Sequence, residues 1–337
     1  MQQRKKQAKT GHKLEYGLFM FLIMIVKLTP LFLVKMNKRI LCFLFQVLAR
    51  RYSRLVKKNL EIAFPQASEG DILRLKDKVY RHFSGIIIDL IYMYVKKRPG
   101  RILRKIEIKH LENLEKTLGK KQGVIIFTAH FGNWELVPYI LSRTLEKEGS
   151  AAHLSLYNNE PGTGKNSRDD KNIRPGDIHL QPVKRKIFGI AREMDNPLVE
   201  SLVKRFREFM GLEVIYKDNS IRTVLKTLEN NGIVYFLIDQ NAIAREAVSI
   251  DFFGRKVSAV TSVSRLHLKA GVPLVPLFLH YEKDKIVLDI REAIRFAKSG
   301  NSRDDAANLT RQCNALIEEE IRKYPEQWFW FHNRWKI

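Results

Sequence analysis

GVIIFTAHFGNWELVP (residues 123–138) sets a short apolar, β-rich run directly against a turn and a helix start. The run should end as a strand near His130, Gly132 and Asn133 supply the turn, and Pro138 fits the first turn of a helix, where its missing N–H costs least. His130 then stands at the carboxyl end of a strand and Glu135 near a helix start, the place where open α/β sheets hold their ligands. On one continuous helix a spacing of five would splay the two side chains apart. A strand, turn and helix can bring them together.

The same alternation of short apolar and longer amphipathic segments extends outward from this stretch. KIFGIA precedes a helix ending near Phe206; LEVIY precedes SIRTVLKTLENNG; then come IVYFLID, a helix near residues 260–270, PLVPLFLHY, KIVLDI and a last helix over 304–324. Such a pattern predicts an α/β domain with a central, mostly parallel sheet flanked by helices. Upstream, residues 68–95 read as one helix, with Ile72, Leu75, Val79 and Phe83 at helical spacing. Residues 1–66 form a basic N-terminus and a helical anchor, and residues 67–337 the α/β domain. A polar stretch at about 149–186, rich in Asn, Gly, Pro and charge, reads as a surface insertion. Its GTGKN lacks the earlier glycine, the following Ser/Thr and the preceding strand of a phosphate loop.

The anchor reading rests on residues 14–48, which are apolar but broken by Lys27, Pro30, Lys35, Lys38 and Arg39. The longest clean run is short of the roughly 20 apolar residues a spanning helix needs. A segment lying in or dipping into a membrane, its basic residues at the head groups, fits this pattern; so does a buried helix pair. Across all 337 residues, 60 Lys and Arg against 36 Asp and Glu give a formal charge of +24, which favours polyanionic partners without choosing among them. Two cysteines, Cys42 and Cys313, make neither a disulfide framework nor a metal-binding spacing, so both are expected to be structural.

Chemically, a neutral imidazole can take a proton from a hydroxyl near neutral pH, and a carboxylate behind its other nitrogen fixes the tautomer. Such a pair suits attack of an acceptor hydroxyl on an acyl thioester. The same residues also fit a plain strand-end histidine and a first-turn acid favoured by the helix dipole. Asp239 ends an apolar strand and is either a cleft residue or a turn former. Phe127, Phe131 and Trp134 either wall an acyl groove or belong to the core; Trp328, Phe329, Trp330 and Trp335 in the tail sit at a membrane interface or, as the more frequent use, pack on the domain.

HFGNWE resembles the HxxxxD/E motif of glycerolipid acyltransferases, in the form carried by the lipid A biosynthesis acyltransferases of bacterial inner membranes. KKNLEIAFP (57–65), AREMDNPLVESLV (191–203), IDQN (238–241), FFGRKVSAVTSVSRLHLKAGVPLVP (252–276) and PEQWFWFHNRWK (325–336) extend the resemblance, in the family's order, over nearly all the chain except the insertion. Ala129, where the glycerol-phosphate branch commonly has asparagine, favours the lipid A branch. The resemblance implies His130 as general base and Glu135 as its partner, with Arg192 at the substrate site; Asp239, Asn133 and Trp134 are further substrate-site candidates by their positions in the sequence. It implies transfer of a fatty acyl chain from acyl carrier protein to a hydroxyl of a lipid A precursor glycolipid, at an anionic membrane surface on the cytoplasmic face of the bacterial inner membrane. No cofactor or metal is expected. Transfer from acyl-CoA to another glycolipid or lysophospholipid is the nearest alternative. A basic, membrane-anchored nucleic-acid-binding protein is the alternative of another class, although no zinc-finger spacing or ribonucleoprotein aromatic motif is present.

Overall fold

A computed structural model describes residues 9–96, 105–118, 122–145, 187–216, 220–242 and 247–336. The predicted insertion at 149–186 lies outside the described residues. Seven strands form one sheet: β1 (Ile106–Lys109), β2 (Val124–Thr128), β3 (Ile187–Ala191), β4 (Leu212–Tyr216), β5 (Ile233–Leu237), β8 (Leu274–Glu282) and β9 (Lys285–Ile290). Their order is β1-β9-β8-β2-β5-β3-β4, and every pairing is parallel except the β8–β9 hairpin. The mostly parallel sheet predicted from the alternating pattern is therefore present, with two strands reversed at one edge.

Helices cover both faces of this sheet, and the strands show why. In β2, Ile125 and Phe127 join one apolar cluster and Val124 and Ile126 the other; in β5, Val234 and Phe236 face one way and Ile233 and Tyr235 the other. Side chains alternate across a strand, so a strand apolar on both faces must be buried on both. Burying each large apolar side chain contributes about 1.5–3 kcal/mol. One layer holds α3 (Arg50–Ala63), most of α4 (Glu69–Lys96), α8 (Ser220–Glu229), α9 (Ser262–Ala270) and α10 (Ser302–Lys323). The other holds α5 (Leu111–Leu118), α6 (Val137–Leu145) and the end of α7 (Pro197–Phe209). Asn196 starts α7 by accepting hydrogen bonds from the Leu198 and Val199 N–H groups, with Pro197 at the first helical position.

Three elements go beyond the sequence reading. β1 and α5 follow residues 97–104, and a separate antiparallel hairpin joins β6 (Ala247–Phe252) to β7 (Arg255–Val260). Its two-residue turn has Phe253 and Gly254 both at positive φ, the turn that matches strand twist. The Phe253 ring packs against Phe64 and Trp330 and under the Arg322 guanidinium.

At the N-terminus, α1 (Thr10–Leu28) and α2 (Val34–Leu48) lean on α4 through Val26, Val34, Leu41 and Ile88. Their outer faces, with the 3-10 turn between them, leave Leu14, Leu18, Phe21, Leu28, Phe32, Phe43 and Leu48 exposed. Among the described residues no helix is long and apolar enough to cross a membrane. The tail is packed, as its more frequent use suggests: Trp328 and Trp330 are buried, and Asn59 of α3 donates to the Trp330 and His332 carbonyls. Cys42 and Cys313 are free and buried, and burial pushes the Cys313 thiol up to about 12.

Candidate active site

β2 and β5 lie side by side in parallel, with Thr128 opposite Leu237. Two residues further on, the same register sets His130 beside Asp239 at the carboxyl ends of adjacent central strands. The chain leaves these two ends toward opposite faces of the sheet, β2 into α6 of one layer and β5, by way of the hairpin, into α9 of the other. α/β sheets bind ligands at such a switch between faces, at the carboxyl ends of the strands.

Asp239 is buried and fully engaged. Its Oδ1 lies 2.8 Å from His130 Nδ1, while Oδ2 accepts from the His130 backbone N–H at 3.0 Å and from the Trp328 indole N–H at 2.8 Å. Burial alone would raise this carboxyl; the His130 imidazole, with the indole and amide donors, overrides that and holds it down at about 2. A carboxylate at Nδ1 makes that nitrogen the proton-bearing one in the neutral ring, so Nε2 carries the lone pair. The imidazole is about one-fifth exposed.

The sequence reading put Glu135 behind the imidazole, and here the structure corrects it. Glu135 sits in a 3-10 turn (Trp134–Leu136), and both its carboxylate oxygens accept from Arg207 of α7, at 2.7 and 3.2 Å. The turn sends the side chain across the sheet end toward α7, where a partly buried guanidinium requires a counter-charge. Asp239, expected as a substrate contact, occupies the bracing position instead.

The remaining expected residues divide. Trp134 is partly exposed and stands edge-on to the His130 ring at 5.2 Å. Asn133 is buried and donates weakly to the Tyr281 hydroxyl at 3.3 Å, which makes it a support of the turn. Phe127 and Phe131 are core. Arg192 leaves β3 at the surface, 83% exposed, and reaches Asp195 at 3.5 Å.

The turn between His130 and Glu135 has little freedom. Gly132 has φ of +55°, and a Cβ there would lie 1.7 Å from the Leu279 carbonyl oxygen, so only glycine fits. The tail clamps the same turn, with Gly132 N–H donating to the Gln327 carbonyl and Phe329 N–H to the His130 carbonyl. Trp328, Gln327 and Gln240 were missed as site residues; the aromatic tail motif was the available signal for the first two. Gln240 places its amide nitrogen 3.3 Å from His130 Nε2. Arg334 is buried nearby, bonded to Asn241 and to the Ser258 carbonyl; burial lowers its guanidinium to about 10 against the pull of Asp239. Among the described residues no three His, Cys, Asp or Glu side chains come together as metal ligands.

The family model for bacterial lipid A biosynthesis acyltransferases matches residues 3–160 and 179–337, nearly the whole chain. The chain belongs to this acyltransferase family. Relatives include the lipid A biosynthesis lauroyltransferase of Escherichia coli strain K12, 22% identical over 85% of this chain and 80% of that relative. A lipid A biosynthesis acyltransferase of Haemophilus influenzae is 27% identical over 84% of this chain and 75% of its own. The palmitoleoyltransferase of E. coli K12 is 22% identical over 90% and 87%. The protein is thus an O-acyltransferase, and the strand-end imidazole lies within the sequence that the family model covers.

Proposed function

We propose that this acyltransferase moves a fatty acyl chain from an acyl carrier protein thioester directly to a hydroxyl of a lipid A precursor, at the cytoplasmic face of the bacterial inner membrane. The observation that carries the reading is the His130–Asp239 pair, with Nδ1 held by a buried carboxylate and Nε2 left basic at the crevice. The acceptor hydroxyl attacks the thioester carbon while His130 Nε2 takes its proton. Asp239 stabilises the imidazolium so formed. As the tetrahedral intermediate collapses, the C–S bond breaks and the imidazolium returns the proton to the departing thiolate. Every bond between heavy atoms that is made or broken belongs to the two substrates, His130 only carries the proton between them, and the step draws on no cofactor.

The acceptor assignment draws on the names of the relatives, and the donor on the +24 charge, which complements an acidic carrier protein as well as glycolipid phosphates. Arg192, exposed at the end of β3, is suited to a lipid phosphate through its planar fork of donors. The exposed apolar faces of α1 and α2, interleaved with exposed Lys27, Lys35 and Arg39 and followed by Arg50 and Arg51 at the start of α3, support attachment to an anionic leaflet.

The test is incubation of the purified protein with acyl carrier protein or CoA thioesters and a phosphorylated, 3-hydroxyacylated glucosamine disaccharide, with products read by mass spectrometry. The expected result is a gain of one acyl chain, faster from the carrier protein, and loss of transfer by about a hundred- to ten-thousand-fold in folded His130→Ala. Undiminished transfer by folded His130→Ala removes the proposed base.

A further inference from the structure

We infer that Gln240 is a catalytic residue of this site: its side-chain amide covers the basic nitrogen of His130 in the resting enzyme and, when the acceptor displaces it, donates to the oxygen of the reacting acyl group. The inference rests on the acyl-transfer reading and adds the donor which that reading leaves unnamed.

Attack on a thioester turns the carbonyl oxygen into an oxyanion, and removing one preorganised donor to such an oxygen costs about a hundred- to thousandfold in rate. Backbone N–H groups beside the nucleophile commonly fill this role, but here those next to the base are already engaged. His130 N–H donates to Asp239, Phe131 N–H to the Ala129 carbonyl and Gly132 N–H to the Gln327 carbonyl. The Asp239 carboxylate is likewise saturated by the ring, amide and indole donors.

Gln240 differs from all of these. With Nδ1–H directed at Asp239, His130 Nε2 carries a lone pair, so the Gln240 group 3.3 Å from it must be the NH2 and not the carbonyl end. One N–H of that NH2 meets the lone pair and the second is left over. The contact is long for a hydrogen bond and is one an incoming hydroxyl can replace. The residue is half-buried, while both its chain neighbours are pinned. Asp239 is held as described, and Asn241 donates its N–H to His332 Nε2 and its side-chain amide to the Asn333 carbonyl, while accepting from Arg334. A half-buried side chain between two pinned neighbours, within reach of the base, is what the exchange requires.

In the step itself the acceptor O–H replaces the amide at Nε2, its oxygen bonds to the thioester carbon, and its proton passes to Nε2. The carbonyl π pair moves onto oxygen, where the Gln240 N–H groups receive it. When that pair re-forms the C=O bond, the C–S bond breaks, and Nε2–H protonates the thiolate.

The experiment compares Gln240→Ala, the near-isosteric Gln240→Met and Gln240→Glu with wild type, in the same assay and with melting temperature recorded. Expected are kcat values about a hundred- to thousandfold lower in all three, with KM for both substrates within about threefold. In Gln240→Glu a carboxylate facing Nε2 favours the protonated ring, so the acid limb of the kcat–pH profile moves about one pH unit upward. A folded Gln240→Ala or Gln240→Met enzyme with kcat within threefold of wild type, or one defective only in KM, overturns the assignment. Wild-type protein inert toward every donor and acceptor pair contradicts the acyl-transfer reading instead.

Discussion

A histidine whose Nδ1 faces a carboxylate and whose Nε2 faces an amide donor is poised as a base whichever residue supplies the carboxylate. That supplier was the part of the site the sequence concealed. His130 stands out because it interrupts an apolar strand end, and Glu135 because it is near in sequence; Asp239, 109 positions away, becomes its partner only once β2 and β5 are neighbours. Strand adjacency depends on topology, which the period-2 pattern of a strand does not encode. His82 of α4 is a second histidine legible only in the fold. It packs edge-on to Tyr281, its Nε2 is sealed without a partner, and burial pushes the ring down to about 4 against a backbone hydrogen bond to Gly132. Its neutral form contributes stability that is fully present above the ordinary value near 6.5 and is lost as pH falls through about 4. Denaturant unfolding from pH 7 to 4 should show a loss of about 2–3 kcal/mol that His82→Phe removes. Identical slopes in the two proteins would refute this. His267 and His332, also lowered by burial, add to the wild-type slope, whereas Asp239 loses its contribution only below about pH 4.

Among the elements, those with a strong period were legible and those relying on partners were not. β2, β5 and β8 read as apolar runs because helices cover both of their faces. α4 and α10 read as helices, and the structure moves each end by only one or two residues. β1 is four residues long and mostly half-buried, so IEIK carries little apolar signal. The β6–β7 hairpin escaped because its turn is Phe-Gly rather than Asn-Gly. Tertiary packing of the Phe253 ring offsets the strain of a non-glycine residue at positive φ. The aromatic tail was legible as a packing element, but not as the strap that carries Trp328 to Asp239.

Taken as a whole molecule, the chain combines a covered sheet with an uncovered helical flank. α1 and α2 bury one side on α4 and leave Phe32 at 79% and Phe43 at 65% exposure, beside basic side chains. Full burial of a Phe side chain is worth about 1.5–3 kcal/mol, and each basic residue near an anionic surface about 1 kcal/mol. Co-sedimentation with vesicles containing anionic lipid should therefore exceed that with neutral vesicles and weaken with salt. Phe32→Ser with Phe43→Ser should lower binding by at least about tenfold. Equal recovery with both vesicle types, unaffected by the two substitutions, would contradict a membrane-facing flank.

We propose that Asp239, and not Glu135, braces the His130 imidazole during transfer. The most direct measurement is the kcat for acyl transfer of Asp239→Asn beside Glu135→Gln, both verified as folded. An amide at position 239 favours the wrong tautomer and leaves the imidazolium unsupported, so kcat should fall about a thousandfold or more. Loss of the Arg207 contact in Glu135→Gln should act mainly on stability and KM. Near-normal kcat in Asp239→Asn, with the loss falling on Glu135→Gln instead, would contradict it.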